Sequence, residues 1–396
     1  MENPSQQLSK NAMIVAQDHT LVLSRKMLRE AAMTQLNPGL RMVRRGHHSV
    51  QIGLSAGGLI LEGLQDSELD FIQELRQGIP DGKVWERALS LGVDTLRAQE
   101  ICLKLADLLF TDAQLHTQGY RAERLSPEHS ALLGLYQSPC RDFMARREHG
   151  VVHLIGLGRT GASLAAILVS AGVGTLLLED DSPVAATDVS PGSFRLSDIG
   201  LSRSLAVRRH LLSIDPSCHA HIVHDGGAGG PSLRCLDLAV VVGHDAVPAQ
   251  TAARFLAADR PHLFVLLREQ DGTVGPFVLP GETACAECVE RHRNLHDPQW
   301  LDVCNQLATV SAQSADRRPR AELLESTALA ATLAGTAATH VLLFLDAVNR
   351  PSSWSAVLTF HPDNGRWTHQ EFSTHPDCGC QWQSQSLATI SNTASP

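Results

Sequence analysis

Val151-Val152-His153-Leu154-Ile155-Gly156-Leu157-Gly158-Arg159-Thr160-Gly161 is the stretch on which the fold turns. Val151 to Ile155 reads as a short buried strand, the glycines as a tight turn, and the residues to about Ala171 as an apolar helix. Gly174 to Leu178 reads as a second strand, running into Glu179-Asp180-Asp181, and Glu179 stands 18 residues beyond Gly161. Strand, glycine turn, helix, strand and acid form the pattern of a Rossmann-like nucleotide site. Gly156, Gly158 and Gly161 would allow the tight turn, the approach of a phosphate to the helix N-terminus and close helix-to-sheet packing. A Rossmann scaffold that keeps its glycines for packing alone is the competing reading.

Further strands are expected at His219 to His224, Leu236 to Val242 and His262 to Leu267, with a glycine-rich turn at Gly226 to Gly230. They extend an α/β region of about 250 residues. Asp245 follows Val240-Val241-Val242-Gly243-His244, at the carboxyl end of the second of these strands, where an open α/β sheet binds ligands. An acid there can hold magnesium beside a nucleotide phosphate, or be a solvated turn residue. Cys285-Ala286-Glu287-Cys288 and Cys378-Gly379-Cys380 are two close thiolate pairs, and four such ligands close the tetrahedral shell of a structural zinc. A redox pair at Cys285 and Cys288 is the main rival, and His292 and His375 are nearby substitute ligands. Cys102, Cys140, Cys218 and Cys235 read as packing residues. The residues from Gln381 are rich in Ser, Thr and Gln and are expected to be disordered.

Upstream, Leu40 to Leu54 reads as two short strands around Gly46-His47-His48, and Gly58 to Leu64 as a third. Helices are expected from about Asp66 to Arg76, from Lys83 to Leu91, and from an Asp94 N-cap to about Leu109. Three strands and three helices over residues 37–115 make a small α+β winged-helix pattern. The third helix offers only Arg97 and Lys104 as cations against Asp94, Glu100 and Asp107, a poor surface for phosphate. Peptide capture fits better, with an extended chain added to the sheet edge at Ile60 and Glu62 and set against Arg97, Ile101 and Lys104. Residues 1–36 give no firm element, and residues 116–148 read as a helical linker to a domain over 149–380.

The whole chain, 396 residues, is long enough for two to three domains, and its 33 basic and 42 acidic residues leave a net charge of −9. That balance argues against nucleic-acid and membrane partners. Only Lys10, Lys26, Lys83 and Lys104 are lysines, so the C-terminal region has no lysine for a P-loop, a Schiff base or a phosphate clamp. Nine cysteines are too few for a disulfide scaffold, and no secretory signal opens the chain, so a cytoplasmic setting is expected. Ala328 to Val348 has membrane-span length but carries Thr332, Thr336, Thr339, His340 and Asp346. Small residues at Ala328, Ala331, Gly335 and Ala338 on one face predict a closely packed internal helix.

In order along the chain, the glycine turn, Glu179 to Asp181, Asp198-Ile199-Gly200-Leu201-Ser202-Arg203, Asp245, Gly275-Pro276-Phe277-Val278-Leu279-Pro280 and the terminal Cys378-Gly379-Cys380 resemble the ThiF/MoeB family. The resemblance implies a fold that adenylates the C-terminal carboxylate of a small protein with ATP and magnesium, and a homodimer. It assigns nucleotide binding to Gly156, Gly158, Gly161, Glu179, Asp181, Arg203 and Asp245, catalysis to Asp245, and structural zinc to Cys285, Cys288, Cys378 and Cys380. Two departures argue against adenylation. Ala185-Ala186-Thr187-Asp188-Val189-Ser190 stands where the family has an asparagine and an arginine-glutamine pair, and Arg203 replaces the phosphate-binding lysine.

The N-terminal unit resembles the precursor-peptide recognition element of ribosomal peptide biosynthesis. Its fusion to a ThiF-like domain looks like the leader-binding partner of YcaO-type azoline-forming cyclodehydratases. The expectation is a protein that binds a precursor leader and presents the peptide to a YcaO enzyme. The alternative is a working ATP- and magnesium-dependent adenylyltransferase, and an NAD-dependent dehydrogenase would leave the cysteine pairs unexplained. Cys304, where some relatives place a reactive cysteine, reads as a packing residue on an amphipathic helix with no nearby cation.

Overall fold

The computed structural model describes residues 33–55, 58–111, 120–137, 141–224, 235–313 and 325–381. Residues 1–32, the glycine-rich turn at 226–230, Cys140 and the tail from 382 lie outside the described residues. The chain divides into two compact units between Asp142 and Phe143.

The first unit runs β1 (Met33–Leu36), β2 (Met42–Arg44), β3 (Ser49–Ile52), β4 (Leu59–Glu62), α1 (Asp66–Gln77), β5 (Ile79–Pro80), α2 (Val84–Ser90), α3 (Thr95–Lys104), β6 (Leu109–Thr111), α4 (Tyr120–Arg124) and α5 (Ser126–Tyr136). It holds two three-stranded antiparallel sheets, ordered β2-β3-β4 and β5-β1-β6. Alternation in β3 turns Val50 and Ile52 inward, where they meet Phe71, Ile72 and Leu75 of α1 and Ala98 and Ile101 of α3. The Asp94 carboxylate accepts the Arg97 N–H at 3.0 Å and starts α3 as its sequence predicts.

That helix stops at Lys104 instead of about Leu109. Residues Ala106–Leu108 tighten into a 3₁₀ turn and Leu109–Thr111 leaves to pair with β1. Leu105 and Leu108 are buried either way, so apolar spacing alone could not separate helix from turn and strand.

The turn after β1 is a packing point. Asn37 is fully buried and its Nδ2 donates to the Leu133 carbonyl at 2.8 Å, while its Oδ1 accepts the Gly39 N–H. A Cβ on Gly39 would collide with the Ser130 carbonyl and come within 2.6 Å of the Gly134 nitrogen. Gly39→Ala is therefore expected to cost about 1–3 kcal/mol through overpacking. Urea unfolding of the full chain checks it, and a loss below about 0.5 kcal/mol, the range of an ordinary surface change, would contradict this packing.

The second unit begins within α6 (Arg141–His149). It contains β7 (Val151–Ile155), α7 (Arg159–Ser170), β8 (Thr175–Glu179), α8 (Arg203–Ile214), β9 (His219–Ile222), β10 (Leu238–His244), α9 (Ala249–Ala257), β11 (His262–Leu267), β12 (Gly272–Val278), α10 (Ala286–His296), α11 (Trp300–Gln313), α12 (Thr327–Asp346), β13 (Ala356–His361) and β14 (Arg366–Glu371). One eight-stranded sheet is ordered β14-β13-β12-β11-β10-β7-β8-β9. The strands from β9 to β11 are parallel, and β12 to β14 extend the sheet antiparallel. This is the expected α/β fold with a mostly parallel sheet.

Alternation again sorts the layers. Val152, Leu154, Leu176, Leu178 and Val240 face α7 and α12, while Ala239, Val241 and Phe264 face Phe255 of α9 and Val289 of α10. Helix α12 is long and apolar enough to cross a membrane, yet its Leu333, Ala334, Ala337 and Val341 are fully buried in the first of these layers. The expected internal stripe of small residues is only partly internal. Ala338 is buried, but Ala328 and Ala331 are exposed, because the leucine-bearing side of the helix lies against the sheet.

Candidate functional site

Strand order reverses on either side of β7, so the carboxyl ends of β7 and β10 flank the switch point where such sheets bind ligands. The glycine turn lies there. Gly156 has φ +82°, and a Cβ would strike the Val242 carbonyl of β10; on Gly161 it would strike the Gly156 carbonyl. Both are needed for close approach of backbone to backbone. The turn is laced to the end of β8, with Gly156 N–H donating to Glu179 O at 3.0 Å and Leu157 N–H to Asp180 Oδ2 at 2.8 Å.

Around this turn the predicted residues separate. Glu179 is nearly buried, with Oε2 2.8 Å from His153 Nε2, and Asp181 is exposed with Oδ1 2.8 Å from His224 Nδ1. Arg203 donates to both carboxylate oxygens of Asp188 at 2.8 Å and lies 3.5 Å from Asp180. Burial opposes its charge, but Asp180 and Asp188 outweigh it and raise its pKa. Asp245 takes a left-handed backbone, φ +64°, at the end of β10. Its N–H donates to Leu267 O and its carbonyl accepts from Arg268 Nε, which leaves the half-buried carboxylate without a partner among the described residues.

Sequence reading missed the residues that fill this site. Thr160 N–H and Oγ1 donate to Glu325 Oε2 at 2.8 and 3.0 Å, and His244 Nε2 lies 3.3 Å from Glu325 Oε1. Burial raises the Glu325 pKa, but His244 and the Thr160 donors more than offset this, and it falls below the ordinary value. Beside it opens a crevice of about 930 Å³ lined by Arg159, Glu269, Asp271, Glu325, His361 and Asp363 among others. No sequence motif marks Glu325 or Asp188, because neither is near its partner in the chain.

The four expected metal ligands converge. Cys285 is the N-cap of α10 and Cys288 lies one turn later, both buried, and Cys378 and Cys380 approach after β14. All four sulfurs lie within 4.8 Å of one another, with contacts of 3.7 Å between Cys285 and Cys288, 3.6 Å to Cys378 and 3.5 Å from Cys288 to Cys380. A tetrahedral site with Zn–S bonds of about 2.3 Å has sulfur edges of roughly 3.8 Å, so the donor set fits. The hydrogen bond from Cys285 and then the His375 N–H pull the Cys288 thiol down to about 4, against the cost of burial. His292 and His375 meet edge to face beside the cluster and are not in it.

Cys304 lies on α11 near Glu290, which also accepts the Trp300 indole N–H. Burial first and the Glu290 charge next push its thiol up to about 11, so it is no ready nucleophile. Contrary to the sequence reading, cations are near: Arg268 and Arg293 lower this thiol's pKa, but by less than burial and Glu290 raise it.

In the first unit, Ile60 and Glu62 are exposed on β4, which ends its sheet. Lys104 is exposed on α3. Arg97 is committed to Glu68 at 2.6 Å and Glu100 at 2.9 Å. Ile101 is only 2% exposed and belongs to the core, so it cannot line a surface; Leu96 and Leu103 of the same helix are exposed instead.

A model of the ThiF family matches residues 134–381. A search of curated proteins finds no match. Among solved structures, the chain is similar to E. coli MccB with ATP, with a TM-score of 0.64 at 15% identity over 88% of this chain and 99% of that one. It is likewise similar to the microcin C7 biosynthetic enzyme MccB in complex with N-formylated MccA, with a TM-score of 0.63 at 16% identity over the same shares. PaaA gives a TM-score of 0.63 at 14% identity over 85% of this chain and 99% of that one. At these identities the likeness is one of fold.

Proposed function

The chain belongs to the ThiF family, and from that premise we propose that it captures the leader of a ribosomally made precursor peptide and presents the peptide to a partner enzyme of the YcaO type. The observation that carries this reading is the extent of the fold likeness. It spans 88% of the chain, more than the second unit alone, and one neighbour it matches is solved in complex with N-formylated MccA. The first unit, read as a winged-helix recognition element, offers β4 as an edge that is unpaired among the described residues, with Ile60 and Glu62 exposed, where an extended leader can add a strand. Lys104 and the exposed leucines of α3 would add side-chain contacts. The same reading places zinc on the four cysteines, a homodimer in solution and the protein in the cytoplasm.

A fluorescently labelled precursor leader titrated with the full chain should show saturable anisotropy. Ile60→Asp should weaken that binding by about tenfold or more, since an exposed apolar anchor is replaced by a charge without disturbing the core. Absence of binding by the wild-type chain would end this proposal. Ile101→Asp is a poor probe, because a buried charge there would unfold the unit.

A second reading, adenylation of a peptide carboxylate, is favoured by one feature, the strained backbone of Asp245 at the switch point with its carboxylate unpaired among the described residues. Pyrophosphate exchange dependent on ATP, magnesium and peptide, and abolished in Asp245→Ala, would support it.

A further inference from the structure

We propose that Glu325 is a built-in anion whose carboxylate occupies the phosphate-binding end of α7 and excludes a nucleotide triphosphate from the glycine turn. The inference rests on the scaffold reading above and says how the family's ATP site has been closed.

Helix starts leave backbone N–H groups without partners, and a phosphate ordinarily satisfies them in a glycine turn of this kind. Here the Glu325 carboxylate takes the Thr160 N–H and hydroxyl at 2.8 and 3.0 Å. A second observation places the carboxylate in the space itself. A Cβ built on Gly158 would lie 2.5 Å from Glu325 Oε1, so the opening left by the missing side chain, where a phosphate would approach the backbone, is filled. The carboxylate side chain is only 8% exposed, and His244 Nε2 flanks it at 3.3 Å. Its main chain is held as well, since Arg159 Nη1 donates to the Glu325 carbonyl at 2.9 Å and to Thr327 Oγ1 at 3.3 Å. Ser326 then caps α12 by accepting the Leu329 N–H.

The surroundings are equally unsuited to a triphosphate. Arg203, at the family's phosphate-binding position, is bound to Asp188 and Asp180. Arg159 is spent on the carbonyls of Thr187 and Glu325. The adjoining crevice sets Glu269, Asp271, Asp363 and Glu325 against Arg159 and His361. A triphosphate entering it would meet carboxylates where it needs donors, and like charges so juxtaposed oppose binding strongly. The residues present therefore do not fit ATP as they stand. Gly156 and Gly161 are required by close backbone packing whatever the turn binds, and Glu325 takes up the helix-start donors that a phosphate would.

The test uses the full chain and two variants, Glu325→Ala, which empties the site, and Glu325→Gln, which keeps its shape without the charge. ATP with magnesium and, separately, inorganic phosphate are titrated by calorimetry, and thermal melting is followed with each. The wild type should show no ATP binding at millimolar concentration and no change in melting with phosphate. Glu325→Ala should melt lower than wild type, be restored by phosphate, and bind ATP at least about tenfold more tightly than the parent, as expected when a like charge is removed from beside the ligand. Should the alanine variant fail to fold, Glu325→Gln carries the same comparison. ATP binding by the wild type as tight as by the variants, or a destabilised variant that neither phosphate nor ATP restores, would overturn the inference. Leader binding measured on the same samples separates the two ideas. Wild-type ATP binding with intact leader capture would remove only the role of Glu325, and loss of leader capture with a silent nucleotide site would remove only the scaffold reading.

Discussion

Arg147→Ala is expected to cost about 3–5 kcal/mol, the penalty for leaving one member of a buried ion pair alone. Arg147 and Asp346 are 3% and 0% exposed and meet in a bidentate pair, Nε to Oδ1 at 2.7 Å and Nη2 to Oδ2 at 2.6 Å. The guanidinium also donates to the Ala171 carbonyl, so one side chain ties α6 to the last residue of α12 and to the end of α7. Asp346 sits at a helix C-terminus, where the helix dipole disfavours an anion, and the Arg147 guanidinium offsets its charge there. Domains are typically stable by only about 5–15 kcal/mol, so the loss is large. Melting should fall by roughly 6–20 °C for a unit of this size. The double variant Arg147→Met/Asp346→Leu should recover most of the loss, since an apolar pair of similar volume is often neutral. A single-variant cost below about 1 kcal/mol, typical of an exposed pair, would show that the pair is not buried as described.

Cys288→Ser is the second change with a large expected effect. Purified wild-type protein should carry one zinc per chain and the variant almost none, because three thiolates and a hydroxyl no longer close a tetrahedral shell. Structural zinc is worth about 10–16 kcal/mol in small peptides whose folding it drives, and a share of that would here hold the Cys378 to Cys380 segment, whose sulfurs lie 3.6 and 3.5 Å from those of Cys285 and Cys288, against the start of α10. Chelator treatment of the wild type should reproduce the variant's lowered melting temperature, and metal retention should fall with pH as the thiols protonate. Metal analysis returning well under one zinc per wild-type chain would count against the site. Wild-type zinc with unchanged melting after its removal would count against a structural role.

Parts of the site were legible because they are local. The turn from Gly156 to Gly161 sits between an apolar strand and an apolar helix, and each element is recognisable from a few consecutive residues. The Cys285 and Cys288 pair is a spacing, and spacing alone puts both sulfurs on one side of a helix start. The small strands β1, β5 and β6 were not legible, since two to four residues carry no period that outlasts chance. Ile101 was misplaced for a related reason. On an amphipathic helix the period shows that some face is apolar, but which isoleucine is sealed in the core depends on what packs there.

The sequence by itself determined the α/β class, the glycine turn and its helix, the convergence of four cysteines as a candidate metal site, and the absence of lysine from the whole C-terminal region. Only the tertiary structure decided what the glycine turn holds. Glu325 reaches Thr160 across 165 positions, and Arg147 reaches Asp346 across 199. Such contacts carry no local signal, because they arise where the sheet order brings strand ends and helix ends together. Hydrogen bonds and charges act through a few ångströms of space whatever the distance along the chain. An acidic residue that no sequence motif marks thereby comes to lie, at the switch point of the folded sheet, against the start of the helix after its glycine turn.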